Sequence, residues 1–313
     1  MARSKILVTG GAGFIGSNLV DKLIEEDYEV VVVDNLTTGK KDNLNPKATF
    51  YHEDIRMPIL SQIFQKEQPD YVSHHAAQID VRKSVEDPMN DLDINGIGFL
   101  NVMECSRKNN VKKVVSISSG GVVYGEPEEI PIPETAKKNP LSPYGITKHL
   151  SELYMNYYRK IHNMNCVALR YSNVYGPRQD SKGEAGVIDI FARAMLNNEQ
   201  CKIFGDGEQL RDYIFISDVV NANIQTLKYG MNEAFNIGTG NPTSVNQLFK
   251  TLKTQLNYLH DPQYLPARPG ELRVNCLDIS KAEHLLAWEP KVSLQEGIKK
   301  TVEWIIQNKV DTH

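Results

Sequence analysis

The stretch Thr9-Gly-Gly-Ala-Gly-Phe-Ile-Gly16 constrains this chain more than any other feature. It follows an apolar run over residues 6–9. It opens a segment of helical period over residues 14–25, with Ile15, Leu19 and Leu23 on one stripe. Glycines in a strand-to-helix turn let the backbone turn tightly and approach a pyrophosphate closely. The helix N-terminus then offers free N–H groups and its positive dipole end to that anion. Gly11, Gly13 and Gly16 fit G-x-G-x-x-G, and Gly10, Gly13 and Gly16 fit G-x-x-G-x-x-G. With a strand before it and a helix after it, the turn is expected to hold a dinucleotide, with Gly10, Gly13, Phe14, Ile15 and Gly16 around the phosphates.

The pattern around the turn is consistent with this. Residues 29–33 are a β-branched run without polar alternation, as in a parallel sheet covered on both faces. Further strands are expected at 49–52, 70–73 and 113–117, with helices at 59–65 and 93–108 between them. This alternation predicts an α/β fold with a doubly wound parallel sheet. A proline-rich loop over 126–143 leads into a helix at 144–161 and a strand at 166–169. Beyond Arg170 the pattern is less regular. Short strands (201–204, 234–237) mix with helices (189–196, 218–227, 245–256, 294–306). Residues 1–170 are therefore expected to bind the dinucleotide. Residues 171–313 are expected to form mainly a smaller mixed α/β cap that binds substrate, with some segments returning to the first domain.

Composition excludes several partners. A net charge of -4 with no basic stripe gives no reason to expect nucleic acid, and no segment has the apolar length of a membrane span. Cys105, Cys166, Cys201 and Cys276 make no CxxC pair and no zinc spacing. That pattern predicts reduced thiols in a cytoplasmic protein and no metal.

Asp34 lies eighteen residues after Gly16, at the end of the second strand. A carboxylate there suits the adenosine ribose hydroxyls and repels a 2′-phosphate, so NAD is expected over NADP. Asn35 adjoins it, and His52-Glu-Asp-Ile55 places Asp54 and Ile55 near the adenine. The strand at 113–117 runs into Ser118-Ser119, and Ser142-Pro-Tyr-Gly-Ile-Thr-Lys148 follows. Tyr144 and Lys148, four apart, share a helix face. A tyrosine is a poor base at its ordinary pKa near 10, and a neighbouring ammonium favours the tyrosinate. A strand-end serine hydroxyl completes an acid–base set.

Together these residues resemble the extended short-chain dehydrogenase/reductase family, most closely its UDP-glucose 4-epimerase type. The likeness covers nearly the whole chain. It adds His75-Ala-Ala-Gln78, Tyr124-Gly125, Leu169-Arg-Tyr-Ser-Asn-Val-Tyr-Gly-Pro-Arg-Gln179, Phe204-Gly-Asp-Gly207, Arg211-Asp-Tyr213, Phe235-Asn-Ile-Gly238, Arg268-Pro-Gly-Glu271 and Trp288-Glu-Pro290. The resemblance implies a Rossmann domain and NAD as cofactor, with Ala76, Ala77 and Gln78 beside it. It implies Tyr144 as acid/base, Lys148 as its modulator on the nicotinamide ribose, and Ser119 as the catalytic hydroxyl, with Ser118 the alternative. It implies that Asn173, Arg211 and Arg268 grip a nucleotide-sugar diphosphate, with Phe204 and Glu271 also on the substrate. Asn275, seven residues after Arg268, falls where residue size controls room beside the sugar. The implied reaction is 4-epimerisation of UDP-glucose and UDP-galactose, extending to the N-acetyl forms, through a 4-keto sugar, by a homodimer. UDP-glucuronate epimerase, decarboxylase and 4,6-dehydratase chemistries stay open. A non-enzymatic NAD sensor is also open, although such proteins commonly lose the Tyr/Lys pair. Gly120-Gly121 stands where a dehydratase carries an acidic pair.

Overall fold

The structure is a computed structural model that describes residues 3–179, 186–268 and 272–310. In chain order its strands are β1 (Lys5–Thr9), β2 (Glu29–Asp34), β3 (Thr49–His52), β4 (Tyr71–His74), β5 (Lys113–Ser119), β6 (Cys166–Tyr171), β7 (Asn173–Tyr175), β8 (Lys202–Phe204), β9 (Leu210–Phe215), β10 (Ala234–Ile237), β11 (Pro242–Ser244), β12 (Gln263–Leu265) and β13 (Val274–Asn275). Its helices are α1 (Phe14–Glu25), α2 (Ile59–Glu67), α3 (Val81–Glu86), α4 (Pro88–Leu92), α5 (Phe99–Lys108), α6 (Pro143–His162), α7 (Val187–Leu196), α8 (Ile216–Lys228), α9 (Val245–Gln255), α10 (Ser280–Leu286) and α11 (Leu294–Val310).

Seven strands form one parallel sheet in the order β10-β6-β5-β4-β1-β2-β3. The β-branched strands have no polar face because both faces are covered. Ile6, Val8, Val30 and Val32 pack with Leu19, Val20 and Leu23 of α1 and Val219 and Val220 of α8. Leu7, Val31 and Val33 pack with Leu60 and Phe64 of α2, Phe99 and Met103 of α5 and Met155 of α6. The strand order reverses between β1 and β4. In open α/β sheets, ligands bind beyond the carboxyl ends of the strands at that reversal.

The segment expected as one helix over 93–108 is helical throughout, but its first part is a π-helical turn over Asp93–Gly98 that runs into α5. Two short helices, α3 and α4, precede it, and local chemistry sets where they start. The carboxylate of Asp80 accepts from the N–H groups of Arg82 and Lys83, that of Asp87 accepts from Asn90, and Pro88 sits at the start of α4. Wide π turns inside helices often mark functional sites.

The smaller sheet centres on β9, which pairs antiparallel with β11 and parallel with β13 and β7, while β8 pairs with β12. The segment after β13 returns to the first domain. The N–H of Ile132 donates to the carbonyl of Cys276 at 2.8 Å. Among the described residues no helix is long and apolar enough to cross a membrane.

Candidate active site

The turn after β1 is a cradle with no room for side chains. Gly10 has φ +69°, and a Cβ there would lie 2.6 Å from the Ala76 nitrogen. A Cβ on Gly16 would lie 2.2 Å from the Gly10 carbonyl oxygen, and one on Gly13 at 3.3 Å from the same oxygen. The G-x-x-G-x-x-G spacing is thus the one that packs on itself, whereas Gly11 abuts Val32. Gly13 caps α1 without a side-chain hydrogen bond, which leaves the first-turn N–H groups for an anion. Phe14 and Ile15 form that first turn and pack against the core. The cradle fits a dinucleotide diphosphate.

Asp34 sits beside this turn, buried. Its two carboxylate oxygens accept from the N–H groups of Ala12 at 2.9 Å and Leu36 at 2.8 Å. Asn35 is exposed and donates to Asp54 at 2.9 Å. The Arg56 guanidinium hydrogen-bonds Asp54 and holds its carboxyl down to about 2. Ile55 is buried behind it. On the other side of the cradle, Thr9 Oγ1 lies 2.8 Å from His74 Nδ1 and accepts from Ala76 N–H at 3.2 Å. Ala77 follows, half-buried. The Gln78 side chain turns inward, and its amide donates to the Asp80 carbonyl and to Asp91, each at 2.9 Å.

The catalytic candidates meet where β5 ends against α6. Ser142 caps α6, its Oγ accepting from Gly145 N–H at 3.1 Å, and Pro143 occupies the first turn. Tyr144, Lys148 and Glu152 follow at four-residue spacing on one face. Lys148 Nζ donates to the Ile117 carbonyl at 2.9 Å and lies 5.7 Å from the Tyr144 ring centroid. Burial pushes the Lys148 ammonium down to about 8, and Asp91 pulls it the other way. Burial also pushes His74 and His75 to about 3, so both rings are neutral at working pH. The two serines differ. Ser118 is buried and donates to Glu152 at 2.6 Å, and Glu152 pairs with buried Arg170 at 2.5 Å. Ser119 is half-buried, and its Oγ accepts from Gly121 N–H at 3.3 Å.

The substrate candidates line the cap. Asn173 begins β7, exposed, opposite Tyr213 of β9. The Arg268 guanidinium stacks 3.8 Å over the centroid of the Phe204 ring. Arg211 lies on β9 between Thr243 and Asn275 and donates to the Leu210 carbonyl at 2.8 Å. Asn275 is 2% exposed and reaches back to the end of β5, donating from Nδ2 to the Gly120 carbonyl at 3.0 Å. Its Oδ1 is buried with no hydrogen-bond partner. A Cβ on Gly120 would lie 2.5 Å from Leu277 Cδ1, so Leu277 packs directly against this glycine. Glu271 lies outside the described residues.

Three groups were given no role in the sequence reading: Asp91 with Asn95 and Thr147, the Glu152–Arg170 pair, and Tyr124, whose hydroxyl donates to Asn236 at 2.7 Å. Glu152 carried a legible signal, since it extends the Tyr144–Lys148 spacing by one turn.

A doubly wound sheet with an uncapped glycine cradle at its reversal point, and a Tyr–Lys pair at the neighbouring strand end, defines a dinucleotide-dependent enzyme of the dehydrogenase type. Known proteins make the class more particular. The model of the NAD dependent epimerase/dehydratase family matches residues 6–238. The chain is 50% identical over 303 residues to a putative UDP-glucose 4-epimerase of Methanocaldococcus jannaschii, covering 97% of this chain and 99% of the relative. It is similar to the crystal structure of UDP-glucose 4-epimerase with UDP-glucose from Thermotoga maritima (TM-score 0.96, 50% identity, 97% and 99% coverage). It is also similar to UDP-N-acetylglucosamine 4-epimerase from Methanobrevibacter ruminantium (TM-score 0.94, 37% identity, 98% and 100% coverage). The chain belongs to the NAD-dependent epimerase/dehydratase family, and its cofactor is NAD.

Proposed function

We propose that this protein interconverts UDP-glucose and UDP-galactose by inverting C4, with Tyr144 as acid/base. The reading is supported by Lys148, which lies 5.7 Å from the Tyr144 ring centroid and donates to the Ile117 carbonyl of β5, the strand that ends at Ser119. Bound NAD would supply a reversible hydride acceptor for C4, with no net oxidation. Tyr144 takes the proton of the sugar 4′-hydroxyl and later gives it back. Lys148 favours the tyrosinate through its charge. Ser119 orients the 4′-oxygen, a role supported by the commitment of Ser118 to Glu152. Asn173, Arg211 and Arg268 hold the diphosphate, since guanidinium groups bind phosphate oxygens in pairs. Phe204, stacked by the Arg268 guanidinium, is assigned to the substrate side in this reading.

The N-acetylated pair is included in the proposal. The unpartnered Oδ1 of Asn275 is an acceptor suited to an acetamido N–H, and asparagine leaves more space than a tyrosine. The similarity to a UDP-N-acetylglucosamine 4-epimerase supports the same reading. Elimination at C5–C6 is disfavoured, because Gly120 and Gly121 carry no side chain to serve as its acid and base.

The working unit in this reading is a homodimer. Ile146, Leu153, Tyr157 and Ile161 form an exposed apolar stripe along α6, and Val85, Met89 and Ile97 are exposed on the segments beside it. The test of the reaction is NMR of the NAD-loaded protein with a panel of UDP-sugars, reading the anomeric protons of substrate and 4-epimer.

A further inference from the structure

Asp91 is the last but one residue of α4 and is fully buried. Three donors converge on its carboxylate. The amides of Gln78 and Asn95 donate to Oδ1 at 2.9 and 3.0 Å, and the hydroxyl of Thr147 donates to Oδ2 at 2.7 Å. These partners come from the loop after β4, the π-helical turn and α6. All three are neutral, so hydrogen bonds hold the carboxylate in place while its charge is left to act on its surroundings. Thr147 immediately precedes Lys148.

We propose that Asp91 is a positioning residue that sets the charge of Lys148, keeping the buried ammonium protonated and thereby keeping Tyr144 serviceable as a base. The inference rests on the Tyr144–Lys148 pair proposed above.

The groups around Lys148 leave Asp91 this task. From β4, His74 and His75 are neutral and supply no negative charge. From β5, the Ile117 carbonyl accepts from Nζ. On its own helix, Tyr144 lies beside it, and Glu152 is engaged by Arg170 and Ser118. Asp91, from α4, is tied to α6 one residue from Lys148 by the Thr147 hydroxyl, and its negative charge there favours the protonated lysine against burial. A lysine already brought to about 8 stands close to deprotonation at working pH, so a modest change in its surroundings alters its charge.

The variant Asp91→Asn removes the charge and can keep every hydrogen bond. Its oxygen accepts from Gln78 and Asn95. Its NH2 donates to the Thr147 hydroxyl, which then donates to the Tyr144 carbonyl, already 3.1 Å away. The experiment is the pH dependence of kcat and kcat/KM for UDP-glucose epimerisation by NAD-loaded wild type, Asp91→Asn and Thr147→Val. Activity requires the ammonium, so it falls as pH rises through the Lys148 value. In Asp91→Asn this fall should move about one pH unit lower, the small end of what a nearby opposite charge does. Turnover should recover toward wild type on the acid side of the limb, with little change in KM. Thr147→Val, which keeps the charge, should retain the wild-type limb. Asp91→Ser, neutral and smaller, should shift as the asparagine variant does, and it serves if that variant does not fold. Coincident alkaline limbs in wild type and the neutral variants, or equal shifts in Asp91→Asn and Thr147→Val, would overturn the proposal. Normal turnover by Tyr144→Phe would instead overturn the Tyr–Lys reading itself, whatever Asp91 does.

Discussion

At the scale of the residue, the site is held by short-range contacts that sequence reveals unevenly. Gly10, Gly13 and Gly16 were legible by their spacing, and at Gly10 and Gly16 a Cβ would strike the backbone where the turn packs on itself. Tyr144 and Lys148 were legible because helical spacing puts them on one face. Ser118 and Ser119 were not separable from sequence, since both end the same strand; only the bond from Ser118 to Glu152 tells them apart. Asp91 was invisible because its partners come from positions 78, 95 and 147, which no local pattern joins. Asn275 yields a prediction at this scale. Asn275→Tyr fills the space beside the sugar and removes the acceptor oxygen. Turnover of UDP-N-acetylglucosamine should fall at least about 10-fold relative to UDP-glucose, the size of effect a pocket clash gives. Steady-state kinetics with both sugars check it, and equal loss on both would count against a gatekeeper at this position.

At the scale of the element, α6 and β6 are fastened by a buried ion pair. Glu152 of α6 meets Arg170 of β6 and Ser118 of β5, and Arg170 continues to the Tyr124 hydroxyl at 2.7 Å. Arg170 and Ser118 hold the Glu152 carboxyl below its ordinary value despite burial. A carboxylate whose folded value is depressed contributes stability above its unfolded value, near 4.3, and loses it as pH falls through the folded one. Glu152→Gln leaves a buried guanidinium uncompensated and should cost about 3–5 kcal/mol at pH 7. Urea denaturation should show the gap to wild type narrowing as pH falls below about 4. A gap that does not change with pH would rule out the charge as its cause. The regular strands and long helices were legible from their apolar periods. α3 and α4 were not, because they are only six and five residues long and start at the Asp80 and Asp87 caps rather than on an apolar period. The cap strands β7, β11, β12 and β13, two or three residues each, are too short to carry a period.

At the scale of the whole molecule, one apolar stripe is left uncovered by the rest of the chain. Leu153 at its middle is 54% exposed. Leu153→Glu places a charge in the proposed dimer contact. Sedimentation should then show a monomer where wild type sediments as a dimer, and an unchanged coefficient would place the contact elsewhere. The division of labour across the molecule also shows how the site is assembled. The turn after β1 supplies the cradle, α6 carries Tyr144 and Lys148, and Asn275 of β13 reaches the Gly120 carbonyl after β5.

The central claim is C4 inversion by Tyr144. NMR of UDP-glucose incubated with NAD-loaded protein tests it most directly. The anomeric signal of UDP-galactose should grow to a constant ratio with no lasting rise in reduced-cofactor absorbance. Tyr144→Phe, folded as wild type, should slow that growth about 10²- to 10⁴-fold. Failure of the wild type to form UDP-galactose, or near-normal conversion by the phenylalanine variant, would contradict the claim.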